Sequence, residues 1–127
     1  MKRDMELCRN ILLEIESSQS EKIYGFHIKD YSDEMVRYHC NLLREHGLIT
    51  KSSEDILGEL IVGNLTWEGQ DFVEKIHDDT IWNRTKETII NKGLTMGFDI
   101  VKQVSSEIIA SMAKGAVEAI LEKGAFL

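Results

Sequence analysis

The stretch from Tyr31 to Ile49, YSDEMVRYHCNLLREHGLI, decides the fold. Ser32 is a good N-cap, because its hydroxyl can accept a hydrogen bond from a free backbone N–H of the first turn. Asp33 and Glu34 follow where the helix dipole favours negative charge. Val36, Cys40 and Leu43 recur at helical spacing and make one inward stripe, which Leu42 broadens. Gly47 comes directly after His46, where a helix commonly ends on a left-handed residue. Leu48 and Ile49 then open an apolar, β-branched run suited to a strand.

Upstream, Asp4 to Glu16 reads as a helix whose inner face is Met5, Cys8, Ile11, Leu12 and Ile15, with Glu6, Arg9, Asn10 and Glu14 facing out. Ile23 to Ile28, IYGFHI, reads as an edge strand or extended segment. Lys29 to Tyr31 leaves room for one turn at most, short of the middle helix of a full helix-turn-helix. Downstream, Leu48 to Lys51 is one expected strand, Ser52 to Gly58 a polar loop, and Glu59 to Leu65 a second strand. Leu60 and Val62 alternate there with Glu59, Ile61 and Gly63. Thr66 caps a helix from Trp67 to about His77, contributing Trp67, Phe72, Val73 and Ile76 to the core. Asp78, Asp79 and Thr80 supply the cap of another helix, which runs through Trp82 to Lys92 and stops at Gly93. A long helix from about Gly97 to Glu122 follows, and Phe126 and Leu127 are expected to fray. The pattern predicts an α+β fold. Residues 1–79 form a winged helix-turn-helix-like domain, and residues 80–127 form a C-terminal helical extension.

The bulk composition bounds the function. One domain with an extension suits 127 residues, and 43% hydrophobic residues is ordinary for a globular chain. No uncharged apolar run suggests a membrane span, and MKRDMELC has no apolar core of a signal peptide. Cys8 and Cys40 both fall on apolar helix faces, which points to buried thiols in a reducing cytoplasm. The net charge of −7 means that any DNA-gripping basic face must be local, set in an acidic whole.

Four strings carry a resemblance: MKRDMELCRNILLEIE, YSDEMVRYHCNLLREHGLI, LTWEGQDFVEKIHDDTIWNRTKE and GLTMGFDIVKQ. Together they resemble a family of small bacterial and phage proteins known as domain of unknown function 2513. The most specific piece is Leu65-Thr66-Trp67-Glu68-Gly69, followed by Asp71-Phe72, Asp78-Asp79 and Trp82. The Leu-Thr-x-x-Gly step is also similar to that of YjcQ-like winged-helix proteins. The resemblance implies a winged-helix core, a cytoplasmic location and occurrence in mobile elements. It implies no activity and no catalytic residues.

Two functional readings follow. In the first, the chain is a DNA-binding or transcription-regulatory protein of phage or mobile-element type, working on double-stranded DNA. Arg37 and Asn41 lie four apart on the outer face of the helix beginning at Asp33, with Tyr38 beside them. Arg suits guanine and Asn suits adenine. Lys29, Arg44 and Lys51 would meet phosphates. In the second reading, an acidic winged-helix scaffold binds a protein partner and no DNA. Glu54, Asp55 and Glu59 against a single Lys51 make a wing that a negative minor groove would repel. The last helix either packs on its own core or pairs with a second chain as a homodimer. No metal site, cofactor or catalytic group is expected: His39 and Cys40 are adjacent and point about 100° apart on a helix. Phosphate-loop and nucleophile-elbow motifs are absent from the sequence. Trp67 and Trp82 are both expected as core anchors.

Overall fold

A computed structural model describes residues 1–124. Phe126 and Leu127 lie outside the described residues. Two compact units are present, one from Met1 to Glu74 and one from Lys75 onward.

The first unit is built on two helices that pack against each other, α1 (Met5–Ser17) and α2 (Asp33–Glu45). Asp4 starts α1 as its N-cap, its Oδ1 accepting from the N–H groups of Glu6 at 2.9 Å and Leu7 at 3.2 Å. Ser32 does the same for α2, accepting from Met35 N–H at 3.2 Å. The inner stripe lies where the spacing puts it: Val36, Cys40 and Leu43 are fully buried, as are Ile11 and Leu12 of α1. Gly47, at φ +80, ends α2. Leu48 N–H reaches the Leu43 carbonyl at 2.9 Å and Gly47 N–H that of Arg44 at 3.0 Å, a Schellman stop that satisfies two orphan carbonyls.

A three-stranded antiparallel sheet completes this unit: β1 (Ile23–Tyr24), β2 (Ser52–Glu54) and β3 (Leu60–Val62), in the order β1-β3-β2. Ile23 pairs with Val62, and Ser52 faces that same residue from the other side. The β2–β3 hairpin is rooted by a bridge between Ile49 and Leu65. The architecture is α+β and compatible with a winged helix, the hairpin standing where the wing would be.

Local expectations need correction at several points. The strand expected at Leu48–Lys51 narrows to the Ile49 bridge, and the paired residues are Ser52–Glu54, inside the segment read as loop. Leu60, Ile61 and Val62 are all buried rather than alternating, since β3 is the central strand. Arg9, expected to face out, is buried at the edge of the α1 inner face, one turn from Met5. A long side chain can bury its stem along apolar neighbours.

α3 (Trp67–Ile76) is locked to the end of α2 by the Leu-Thr-Trp-Glu-Gly step. The Thr66 hydroxyl donates to the Gly47 carbonyl and accepts from Gly69 N–H at 3.0 Å. A Cβ on Gly69 would stand 2.1 Å from the Leu48 carbonyl oxygen, so only glycine fits this approach. Trp67 is 80% exposed and no core anchor. At 100° per residue it lies opposite Gly69, Phe72 and Val73, which face inward.

In the second unit, α4 (Asp79–Asn91) packs on α5 (Phe98–Gly124). Asp78 caps α4, accepting from Ile81 N–H at 3.0 Å, and a second Schellman stop at Gly93 ends it. Trp82, Thr85 and Ile89 are buried on α4, and Phe98, Val101, Val104 and Ser105 on α5. Thr85 and Ser105 return their hydroxyls to the carbonyls of Ile81 and Val101. From Ala110 to Glu122 every residue of α5 is exposed. No described helix is long and apolar enough to cross a membrane.

Candidate interaction surface

The outer face of α2 and the β2–β3 hairpin form one surface. The Arg37 guanidinium is half-buried and spans the gap between them. Its Nε forms an ion pair with Glu54 Oε1, a charge contact without hydrogen-bond alignment, and its Nη2 lies 3.4 Å from the Gly58 carbonyl. One turn further along α2, Asn41 Oδ1 accepts from the Ser52 hydroxyl at 2.7 Å. The two ties match because the two spacings match. Four residues of helix rise about 6 Å, and two residues of strand rise about 6.6 Å. Arg37 and Asn41 therefore meet Glu54 and Ser52 in antiparallel order, and the hairpin is held against the helix.

The other site candidates are placed differently. Tyr38 is half-buried, with its ring edge-on to His39 at 5.3 Å between centroids. Arg44 is exposed in the last turn of α2. Lys51 is half-buried beside β2, and its backbone carbonyl accepts from Gly63 N–H at 3.0 Å. Lys29 is exposed in a turn and lines a hollow with Asn10, Leu13 and Glu14 of α1. The structure thus brings Arg37 and Asn41 together through the hairpin, and it places Lys29 in the α1 hollow.

Charge on this surface is mainly negative. Glu54, Asp55 and Glu59 are exposed on the hairpin, and Asp33 and Glu34 at the start of α2. A groove of about 180 Å3 runs between these elements, lined by His27, Asp33, Arg37 and Glu59 among others. Among the described residues, no three His, Cys, Asp or Glu side chains gather to hold a metal ion.

His39, weighed above as a metal ligand, serves as a structural pin. It is fully buried on α2. Its Nε2 accepts from the Asp4 N–H at 2.8 Å, which leaves the ring proton on Nδ1 to be donated to the Met35 carbonyl at 2.8 Å. Cys8 and Cys40 are also buried, and burial pushes each thiol up to about 12. Thiols held so firmly protonated are poor nucleophiles.

The residues that sequence reasoning missed are at the hairpin tip. Ile56 is 100% exposed and Leu57 84% exposed. The tip is built by others. Asp55 Oδ1 accepts from the N–H groups of Leu57 at 2.8 Å and Glu59 at 2.9 Å, and Gly58 takes φ +84. The signal was present in the string SSEDILGE: two bulky aliphatic residues stand between an Asp and a Gly that suffice for the turn.

Comparison with known proteins agrees with the motifs. Residues 2–95 match the family described as Hypothetical protein (DUF2513), a span that ends before α5 begins. An uncharacterized protein of Haemophilus influenzae is 40% identical over 118 residues, covering 88% of this chain and 98% of that one. No solved structure matches. With a match over most of its length and a relative aligned nearly end to end, the chain belongs to the DUF2513 family.

Proposed function

We propose that this protein is an interaction adaptor that uses a winged-helix-like scaffold to bind another protein. The observation that carries this reading is the engagement of Arg37 and Asn41. The two side chains read as reaching base edges, Arg37 and Asn41, are tied to the hairpin, and the carboxylate that holds Arg37 belongs to an acidic hairpin. A duplex would have to break the Arg37–Glu54 pair and meet Glu54, Asp55 and Glu59 without their counter-charge. Like charges facing one another across an interface disfavour association.

The reading separates cleanly from DNA binding in a mobility-shift experiment with random duplex at low salt. The expected result is no shift for the wild type. A wild-type shift that disappears in an Arg37→Ala/Asn41→Ala variant would overturn the adaptor reading in favour of major-groove reading by α2.

The proposal includes self-association through the distal half of α5. Met112, Val117, Ile120 and Leu121 are 43–67% exposed there. Over residues 110–122, at 100° per residue, Ser111, Lys114, Glu118 and Glu122 occupy an arc of about 80°, and the other residues of that span are apolar or small. Alanines at 113, 116 and 119 let a second, identical helix approach closely in an isologous pair.

A further inference from the structure

We propose that Ile56 and Leu57 at the hairpin tip are the anchor by which this protein docks into an apolar cleft on a partner protein rimmed by lysine or arginine. This rests on the adaptor reading and names the chemistry of its partner.

The fold has no use for these two side chains. Turn closure at the tip is done by Asp55 and Gly58, through hydrogen bonds to backbone groups that need no side chain at 56 or 57. Tips of this kind are ordinarily polar, since a polar residue there loses nothing and keeps the surface soluble. Here two adjacent aliphatic residues stand almost wholly in water. Scattered exposed apolar residues are common, but a projecting pair on a braced loop has the form of a binding anchor.

The tip is also braced. Glu54 and the Gly58 carbonyl are both tied to Arg37 of α2, one on each side of the pair. A preorganised anchor gives up little conformational freedom on docking, so more of its burial appears as affinity.

Charge identifies the cleft. Immediately around the pair stand Glu54, Asp55 and Glu59; Arg37 offsets Glu54 and Lys51 is the hairpin's own cation, so the balance at the tip stays negative through Asp55 and Glu59. A partner pocket with an acidic rim would be repelled, and one with a basic rim is complementary. The same argument disfavours nucleic acid as the occupant.

The test uses two designed helix-loop-helix peptides whose paired helices leave a leucine-lined groove, one with lysines along the groove rim and one with glutamates, titrated against the full chain by fluorescence anisotropy. The lysine peptide should bind and the glutamate peptide should not. Ile56→Asn/Leu57→Asn should weaken the lysine peptide by about tenfold or more, the size expected for loss of an anchor. Glu59→Gln should weaken it by a few-fold. Because both tip residues are exposed, the double variant should keep the wild-type urea midpoint, which excludes misfolding as the cause. Equal affinity for the wild type and the double variant would mean charge attraction alone, and would overturn the tip as an anchor. So would failure of the lysine peptide to bind, or preference for the glutamate peptide. Random duplex is titrated in parallel. Duplex binding lost in the double variant would reassign the tip to nucleic acid and overturn both this inference and the adaptor reading. Failure of the peptide arm with no duplex binding would overturn the tip alone.

Discussion

Between Val36 and Leu43, α2 buries its whole inner stripe, whereas from Ala110 to Glu122 α5 buries none of its residues. Both segments carry apolar residues at helical spacing, over eight residues in the first and thirteen in the second. They differ in what stands opposite. α2 meets α1 and the hairpin at once, with Ser32 and Gly47 fixing its two ends, so each apolar residue finds neighbours supplied by nearby chain. α5 packs on α4 and then continues past it. An apolar pattern specifies a face to be covered, and only the rest of the fold decides whether the same chain covers it.

The difference should be largest in core truncations. Leu43→Ala removes side-chain volume from a fully buried site and should cost about 2–5 kcal/mol in urea unfolding. Val117→Ala, at a half-exposed site, should change the same measurement by less than about 0.5 kcal/mol. Similar losses at the two positions would erase the contrast.

Two glycines sharpen it further. Gly69→Ala puts a methyl group 2.1 Å from the Leu48 carbonyl oxygen, where backbone must move, and should cost about 1–3 kcal/mol. Gly115 sits in α5 with nothing within 4 Å of a built Cβ. Gly115→Ala should therefore raise the helix content seen by circular dichroism, and stabilise by up to about 1 kcal/mol, as an exposed helical site allows.

The buried thiols bring pH into the comparison, because they lie on the α1 and α2 faces and α5 has no counterpart. Desolvation raises both from 9.0 to about 12. Above pH 9 the unfolded chain loses these protons and the folded chain keeps them, so stability present below pH 9 is lost as pH rises toward 12. The loss should be on the order of 1 kcal/mol per thiol at pH 10. Urea unfolding at pH 8 and pH 10, for the wild type and Cys8→Ala, measures it. A Cys8→Ala slope no shallower than the wild-type slope would remove the thiol as the cause.

The sequence exposes this division unevenly. The α2 stripe, its Ser32 cap and its Gly47 stop were legible because each depends on residues within one turn of the chain. Trp67 was misread because its residue type outweighed its angular position: the same wheel that puts Phe72 and Val73 inward puts Trp67 outward. The Arg37–Glu54 pair was illegible for a different reason. It depends on the register of β2 against α2, and the strand had been expected at Leu48–Lys51, before the residues that pair. Ile56 and Leu57 were hidden by their polar neighbours, since a segment averaged as Ser, Glu, Asp and Gly reads as an ordinary loop.

The smallest expected effect bears on α5 most directly. Ile120→Ser/Leu121→Ser removes two side chains that are about two-thirds exposed, so the unfolding free energy of dilute protein should change by less than about 0.5 kcal/mol. If two copies cover one another along this arc, the same substitutions act on association instead, because each serine leaves apolar area on the facing helix without a partner. Light scattering on the concentrated wild type should then give twice the 14.5 kDa chain mass, falling toward the single-chain value on dilution. The double variant should stay at the single-chain mass at the same concentrations. A wild type that remains at 14.5 kDa throughout would refute pairing, and the exposed arc would then be a property of the lone chain.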